Sequence, residues 1–417
     1  MELRRVVVTG LGAITPIGNN VSDFRDGLMN GVSGAGPVTR FDASGLRSQF
    51  ACEVKGLDAV GFFGVKDARK YDPFEQYAIM AADEAFADSG LDMSGEDAWR
   101  CGAIWGCGIG GIQTLEEEIS TNYLNGGTPR YTPFFIPKSI GNMASGYLSI
   151  RFGLNGPCFG TQAACAASNS AILTAFEHIR HGLADVMLTG GSEAAICPSS
   201  MGGFCSMRAL SSRNDDPQHA SRPFSASRDG FVMGEGGACL VLESLEHALA
   251  RGAKIYAEIL GGAHTADAYH MTAPHPEGLG AAMVMRKALE EACLSPADID
   301  YINTHGTSTK LGDTAEVKAI LSVFGDAAYR LNISSTKSMT GHLLGGAGAI
   351  EAVATILAID EETVPPTINH ADGDDDPDLD AKLNFTFNQP QKRPIRAALS
   401  NGFGFGGENA VLVIGKY

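Results

Sequence analysis

Residues 301–324 read YINTHGTSTKLGDTAEVKAILSVF. The run Tyr301–Thr304 is short, aromatic and β-branched, a polar loop with one glycine follows, and apolar residues then recur at helical spacing from Asp313 to Phe324. The order predicts strand, loop, helix. Residues 332–360 repeat it, with a strand at Asn332–Ser334, the loop STKSMTGHLLGG over 335–346, and an Ala-rich helix over Ala347–Asp360. Each unit places a histidine, His305 or His342, in the loop at the end of its strand. In open α/β sheets that is where binding and catalytic groups collect.

The same alternation extends through the chain. Further strands are expected at Arg5–Thr9, Gly102–Trp105, Asp185–Thr189, Ala238–Leu242, Ile255–Leu260, Arg396–Ser400 and Ala410–Ile414, and helices at Pro73–Ser89, Ser168–His181 and Gly280–Ala292. Strands alternating with helices predict an α/β architecture with both sheet faces covered. Two halves, residues 1–250 and 251–417, each hold several such alternations, and no Pro- or Ser-rich linker parts them. The acidic run Asp374–Asp380 reads as a surface loop.

The chain has 417 residues, 44% of them hydrophobic, which is ample for a large core. A net charge of −17 argues against general nucleic-acid binding and against an anionic membrane surface. Nine scattered cysteines form neither a CxxC pair nor a zinc-spaced Cys/His cluster, so reduced thiols in a cytoplasmic protein are expected, with Cys52, Cys101, Cys239 and Cys293 buried. The opening MELRRVVVTG has too short an apolar run for a signal peptide, and no segment reaches the ~18 apolar residues of a membrane span.

Residues 156–168, GPCFGTQAACAAS, lead a Gly/Pro loop through small side chains into an amphipathic helix with Ile172, Ala175, Phe176 and Ile179 on one face. Cys165 lies near the helix N-terminus, where backbone N–H groups and the helix dipole favour a thiolate over the free thiol, whose pKa is about 8.5. A structural cysteine in a tight turn is the other reading, and the segment alone does not separate the two. Cys158 is a rival that lacks the following helix. Neutral imidazoles at 305 and 342 could donate hydrogen bonds to an oxyanion. Lys337, between small polar residues, reads either as a surface charge or as partly buried beside Asp313, Glu316 or Glu351; Glu351 otherwise reads as an exposed helical glutamate. Near the C-terminus, SNGFGFGGEN over 400–409 lacks a Walker lysine and is followed by a strand, so it matches no nucleotide loop. It suggests either a backbone that approaches a substrate closely or a tight turn with two core rings.

Taken together and in this order, from VVVTGLG at 6–12 to GFGFGG at 402–407, these motifs closely resemble the β-ketoacyl-acyl carrier protein synthases of the elongating type, synthase II among them. The resemblance implies a thiolase-like fold, a five-layer α/β/α/β/α sandwich of two related halves, in a cytoplasmic homodimer of fatty acid biosynthesis. It implies that Cys165 carries the acyl group, that His305 and His342 are the catalytic histidines, and that Lys337 supports them. Phe405 would be the gating residue whose N–H joins that of Cys165 in an oxyanion hole, with Phe403 beside it. Ile109, Ala164 and Phe204 correspond to acyl-pocket positions, and Thr272, Thr307 and Thr309 to phosphopantetheine contacts. Lys66, Arg69, Lys70 and Arg208 correspond to basic positions that meet the acyl carrier protein, the partner that brings the phosphopantetheine; their other reading is solvated charge. No metal or nicotinamide is called for. Gln162, Cys205 and Lys310 depart from the family pattern, which leaves chain-length preference open. A thiolase would carry a second cysteine in the C-terminal loop, which is absent here. A chain-length-determining partner subunit would lack the nucleophile. The ketosynthase of a discrete-subunit polyketide synthase would share all these residues.

Overall fold

The stretch Val6–Ile14 is buried along its whole length, because helices or strands cover both faces of the strand it forms. In the computed structural model, which describes residues 3–417, this strand is one of ten in a single continuous sheet. In chain order the strands are β1 (Val6–Ile14), β2 (Cys101–Gly106), β3 (Cys158–Thr161), β4 (Val186–Glu193), β5 (Gly236–Ser244), β6 (Ala257–Ala266), β7 (Tyr301–Asn303), β8 (Asn332–Ser334), β9 (Ala397–Gly404) and β10 (Glu408–Gly415). Their spatial order is β8-β7-β9-β10-β6-β1-β5-β4-β2-β3.

That order hides a duplication. β3, β2 and β4 run parallel, and β5 and then β1 add antiparallel. β8, β7 and β9 run parallel, and β10 and then β6 add antiparallel in the same relative order. The two five-stranded units meet where Val6–Val8 of β1 pairs antiparallel with Ala257–Ile259 of β6.

The helices follow the same duplication. α1 (Pro73–Ser89) and α2 (Met143–Phe152) cover the outer face of the first unit, and α4 (Leu279–Glu291) and α5 (Lys310–Phe324) that of the second. α3 (Ala167–Arg180) follows β3 and α6 (Ala347–Asp360) follows β8, and both lie between the two units. The result is the expected α/β/α/β/α sandwich. α1 starts where the sequence predicts, because Pro73 takes the first position and Asp72 and Glu75 form a capping box. α3 and α6 approach so closely that a Cβ on Gly348 would lie 1.6 Å from Asn169 Oδ1. Only glycine permits this crossing.

Several local expectations need correction. β3 was not expected as a strand: its four residues show no alternation, and it pairs on one side only. α5 begins at Lys310 rather than Asp313, because Thr309 caps it by accepting from Gly312 N–H. β9 runs on into the glycine-rich loop as far as Gly404. Cys293 is exposed, on a residue with φ of +55°, whereas Cys52, Cys101 and Cys239 are buried as expected.

The central helical layer carries the main core cluster, with Ile172, Phe176, Ile350, Val353 and Ile356 all within it. Truncating Ile356, which is fully buried in this cluster, should cost about 2–5 kcal/mol, since a packed interior only partly collapses into the gap. Chemical denaturation of Ile356→Ala checks this; an unchanged midpoint would contradict a tightly packed central layer.

Candidate active site

The parallel strands point their carboxyl ends toward the junction of the two halves. The turns after β2 (Cys107–Gly110), β3 (Ala163–Ala166), β7 (Thr304–Thr309) and β8 (Ser335–Gly346) meet there. Between them opens a cavity of about 630 Å³ lined by Cys165, His305, His342, Phe204, Phe403 and Phe405, among others.

Cys165 occupies a 3₁₀ turn, Ala164–Ala166, that runs straight into α3. Ala164 takes φ of +45°, a left-handed conformation that a side chain adopts only at a cost, so the turn is a sharp, strained elbow. The phenylalanine-bearing loop presses against its backbone: a Cβ on Gly404 would meet Ala163 O at 2.6 Å and Cys165 N at 3.3 Å. The Phe405 N–H lies close enough to the Cys165 sulfur to favour its charged form.

The expectation of a thiolate stabilised by the helix terminus needs correction. Burial pushes the Cys165 thiol up to about 12, and the opposing pull of the Lys337 charge and the Phe405 N–H does not offset it. At rest the sulfur is protonated. Cys158, the rival, lies exposed on the edge strand β3 and does not line the cavity.

His305 and His342 face each other edge to face, with ring centroids 5.2 Å apart. Phe403 packs on His305 and Phe231 on His342. Each histidine is fixed through its backbone. Glu316 Oε1 accepts from the His305 N–H at 2.9 Å, Oε2 from Gly306 at 2.8 Å, and the same carboxylate accepts from Asn401. His342 donates its N–H to Val232 O and accepts from Gly234 N–H. Burial, then the Lys337 charge, holds both imidazoles well below the usual histidine value of 6.5, so both are neutral near pH 7.

Lys337 is buried and pairs with Glu351, itself buried rather than exposed. Of the three acids considered from sequence, it is Glu351 that meets the ammonium. Asp313 instead pairs with Arg228 at 3.3 Å and accepts from the N–H groups of Phe224 and Ser308. Burial pushes the Glu351 carboxyl up to about 7 despite the lysine.

Thr272, Thr307 and Thr309 line the outer part of the cavity, and the hydroxyls of Thr307 and Thr309 lie 3.0 Å apart. Ile109 and Ala164 do not line this cavity; Ile109 packs in the apolar cluster that holds Cys165, Phe204 and Cys205. Gln162 lies beside the buried Cys107 thiol, whose charged form it favours slightly against burial. Of the four basic positions, only Arg208 reaches the cavity mouth, where Lys310 joins it. Lys66, Arg69 and Lys70 lie on or beside a short helix elsewhere, with Lys70 paired to Asp67 at 2.6 Å.

Two acids that shape the site were not singled out as such. Glu316 holds the His305 turn. Glu193 ends β4, and burial pushes it up to about 7 against four backbone N–H donors. The signal for Glu193 was present: it is the sole charged residue between Asp185 and Arg208.

Residues 3–248 match the family described as "Beta-ketoacyl synthase, N-terminal domain", and residues 256–371 match "Beta-ketoacyl synthase, C-terminal domain". A 3-oxoacyl-[acyl-carrier-protein] synthase 2 of Synechocystis sp. is 51% identical over 417 residues, covering 100% of this chain and 99% of that protein. One from Coxiella burnetii is 48% identical, covering 100% and 99%. Among solved structures, a type II polyketide ketosynthase, bound to the hexaketide and in complex with its acyl-carrier protein, superposes with a TM-score of 0.91 at 37% identity, covering 100% of both chains. A beta-ketoacyl synthase from Burkholderia phymatum superposes at 0.90 with 34% identity, covering 99% of this chain and 100% of that one.

Because burial disfavours the charged imidazolium, His305 and His342 should stay neutral as pH falls from 8 to 6. NMR of ring-labelled histidine, assigned by single His→Gln variants, checks this; a midpoint at or above 6.5 for either ring would contradict the buried geometry.

Proposed function

The chain belongs to the beta-ketoacyl synthase family, and from that premise we propose that it extends an acyl chain by two carbons, joining a Cys165-bound acyl group to malonyl-acyl carrier protein in fatty acid elongation. The observation that carries this reading is a buried sulfur and two neutral imidazoles facing one cavity, with a phenylalanine-bearing loop laid over the sulfur. The division of labour belongs to the proposal as well: residues 1–250 supply the sulfur and 251–417 the imidazoles.

In the first half-reaction the Cys165 sulfur attacks the acyl thioester, the N–H groups of Cys165 and Phe405 hold the oxyanion, and the carrier's thiol leaves with the proton. The raised thiol makes proton loss costly, and the buried Lys337 ammonium lowers that cost. In the second, malonyl-carrier protein enters past Thr272, Thr307 and Thr309. His305 and His342 donate to its thioester carbonyl; the bond to the carboxylate breaks and carbon dioxide departs, leaving the electron pair as an enolate. The enolate carbon attacks the acyl carbonyl, the carbon–sulfur bond to Cys165 breaks, a 3-oxoacyl thioester leaves on the carrier, and the released Cys165 thiolate takes a proton from water. Neutral imidazoles suit this step because they donate without adding a charge that would hold the malonyl carboxylate in place.

Identity to the synthase 2 proteins exceeds that to the polyketide ketosynthase, which favours fatty acid elongation over the polyketide reading. Carrier-protein docking at Arg208 and Lys310 fits an acidic partner reaching a basic cavity mouth on an acidic body, with Lys66, Arg69 and Lys70 as a second contact. The nine unpaired cysteines support a cytoplasmic location.

Cys165→Ala should lose acyl transfer and condensation by at least about 10⁴-fold while retaining malonyl decarboxylation, the loss being that of a covalent nucleophile. Mass spectrometry of the acylated protein and carbon dioxide release measure the two steps. Full condensation by the variant, or loss of decarboxylation in step with acylation, would overturn the assignment.

The reading includes a homodimer. The outer edge of β3 is unpaired and exposes Phe159, with Ile150 of α2 exposed nearby at 77%. Such an edge templates pairing with another strand. Light scattering should give twice the chain mass, and Phe159→Asp should shift it toward the monomer. A monomeric parent chain would remove this part of the proposal.

A further inference from the structure

Glu193 is buried at the carboxyl end of β4 with no basic side chain in contact among the described residues. All of its partners are backbone N–H groups. Oε2 accepts from Gly108 at 2.7 Å and from Gly345 at 3.1 Å, Oε1 accepts from Gly110 at 3.1 Å, and Ile109 reaches both oxygens at 3.2 Å. Three successive N–H groups converging on one carboxylate form an anion-binding nest, here filled by the protein's own side chain. The fourth donor comes from the other half of the molecule.

The two turns that share this carboxylate are in direct contact. A Cβ on Gly345 would lie 2.0 Å from Gly108 N, and one on Gly108 would lie 2.7 Å from Glu193 Oε2. Each turn carries one apolar residue of the cluster that holds Cys165, and of the two only Leu344 lines the cavity. Ile109 packs in the cluster with Cys165 and Phe204, and Leu344, at φ of +48°, lines the cavity immediately before Gly345. His342 lies two residues further back on the same turn.

We propose that Glu193 is a positioning residue for acyl-length selection: by tying the Ile109 turn to the Leu344 turn, it fixes how these two side chains pack around Cys165. This rests on the condensing reading above. The carboxylate touches no reacting atom; it acts through the two turns. Glutamine cannot replace it, because an amide offers one acceptor where two are used. Its oxygen would keep Gly108 and Gly345, and its NH₂ would face the Gly110 N–H donor.

The test compares the parent chain, Glu193→Gln and Glu193→Asp across a ladder of acyl-carrier thioesters. It reads kcat/KM for acyl transfer to Cys165 at each length. The long-to-short ratio should fall by about tenfold in Glu193→Gln, the scale on which a pocket discriminates a methylene or two. Glu193→Asp, which keeps the charge but draws it back, should move the ratio in the same direction. Combining either with Ile109→Ala should give less than the product of the single effects. Equal loss at every length, or a change in thermal midpoint alone, would overturn the proposal and leave Glu193 merely structural. Failure of the parent chain to take up any acyl group on Cys165 would sink the condensing reading instead. The tie itself is then still measured by amide hydrogen exchange. Glu193→Gln should speed exchange at Gly110 by about tenfold with α3 and α6 unchanged, and unaltered exchange there would overturn the tie.

Discussion

Burial sets the protonation of the groups around the cavity, and one buried positive charge adjusts it. The Lys337 ammonium favours a thiolate at Cys165 and disfavours an imidazolium at His305 and His342. These effects have opposite sign because thiols charge by losing a proton and imidazoles by gaining one. Such a charge cannot be buried alone, and Glu351, on the first turns of α6, neutralises it in place. A buried pair of this kind contributes little to stability, yet removing one partner costs several kcal/mol. The pair is therefore better understood as a fixed field than as a brace. Its position follows from the fold: Lys337 begins the turn after β8, and Glu351 lies on the helix into which that turn runs.

The duplication explains why groups so far apart in sequence meet. Cys165 and the Lys337–His342 turn occupy equivalent places, each between the third strand of its half and a central helix. His305 and the Cys107–Gly110 turn are equivalent in the same way, each after the second strand. Joining the units through β1 and β6 turns all these strand ends toward one junction. Each half contributes a different chemistry from the same scaffold position, sulfur from one and imidazole and ammonium from the other. The glycines at 108, 345, 348 and 404 allow the halves to approach at backbone distance, which a side chain at any of the four would prevent.

Much of this was legible in the sequence. The long helices over 73–89 and 347–360 carry their boundaries in local chemistry, a capping box with Pro73 in one and the Gly345–Gly346 pair before Ala347 in the other. The loop histidines were legible as candidates because each follows a strand, and Cys165 because small residues lead it into an amphipathic helix. β3 was not, since four residues on a sheet edge show neither alternation nor a full apolar run. The state of the Cys165 thiol was also misjudged. Helix position is visible in sequence, but burial is not, and burial is the larger effect. Glu351 illustrates the same limit, because a glutamate in an Ala-rich helix gives no sign that a lysine will be buried against it.

A protonated thiol beside two neutral imidazoles has a consequence for the order of events under the proposed function. With the sulfur uncharged, it adds no anion of its own beside the incoming apolar acyl chain, and the energy to ionise it is needed only once the thioester is in place. After acylation the sulfur is capped, and burial, with Lys337 still beside Glu351, continues to keep the imidazoles neutral. The malonyl carboxylate then arrives in a cavity lined, among the described residues, by Arg208 and Lys310 at its mouth and by Arg228, which is paired with Asp313 and Asp376. A carboxylate moved from that mouth into an apolar chamber loses hydration that nothing inside restores, and expelling carbon dioxide removes the charge from that end of the substrate. The negative charge that remains resides on the thioester oxygen, where two imidazole donors meet it. Desolvation and donor placement thus favour the same bond breaking, which is why the site can generate a carbanion without a strong base.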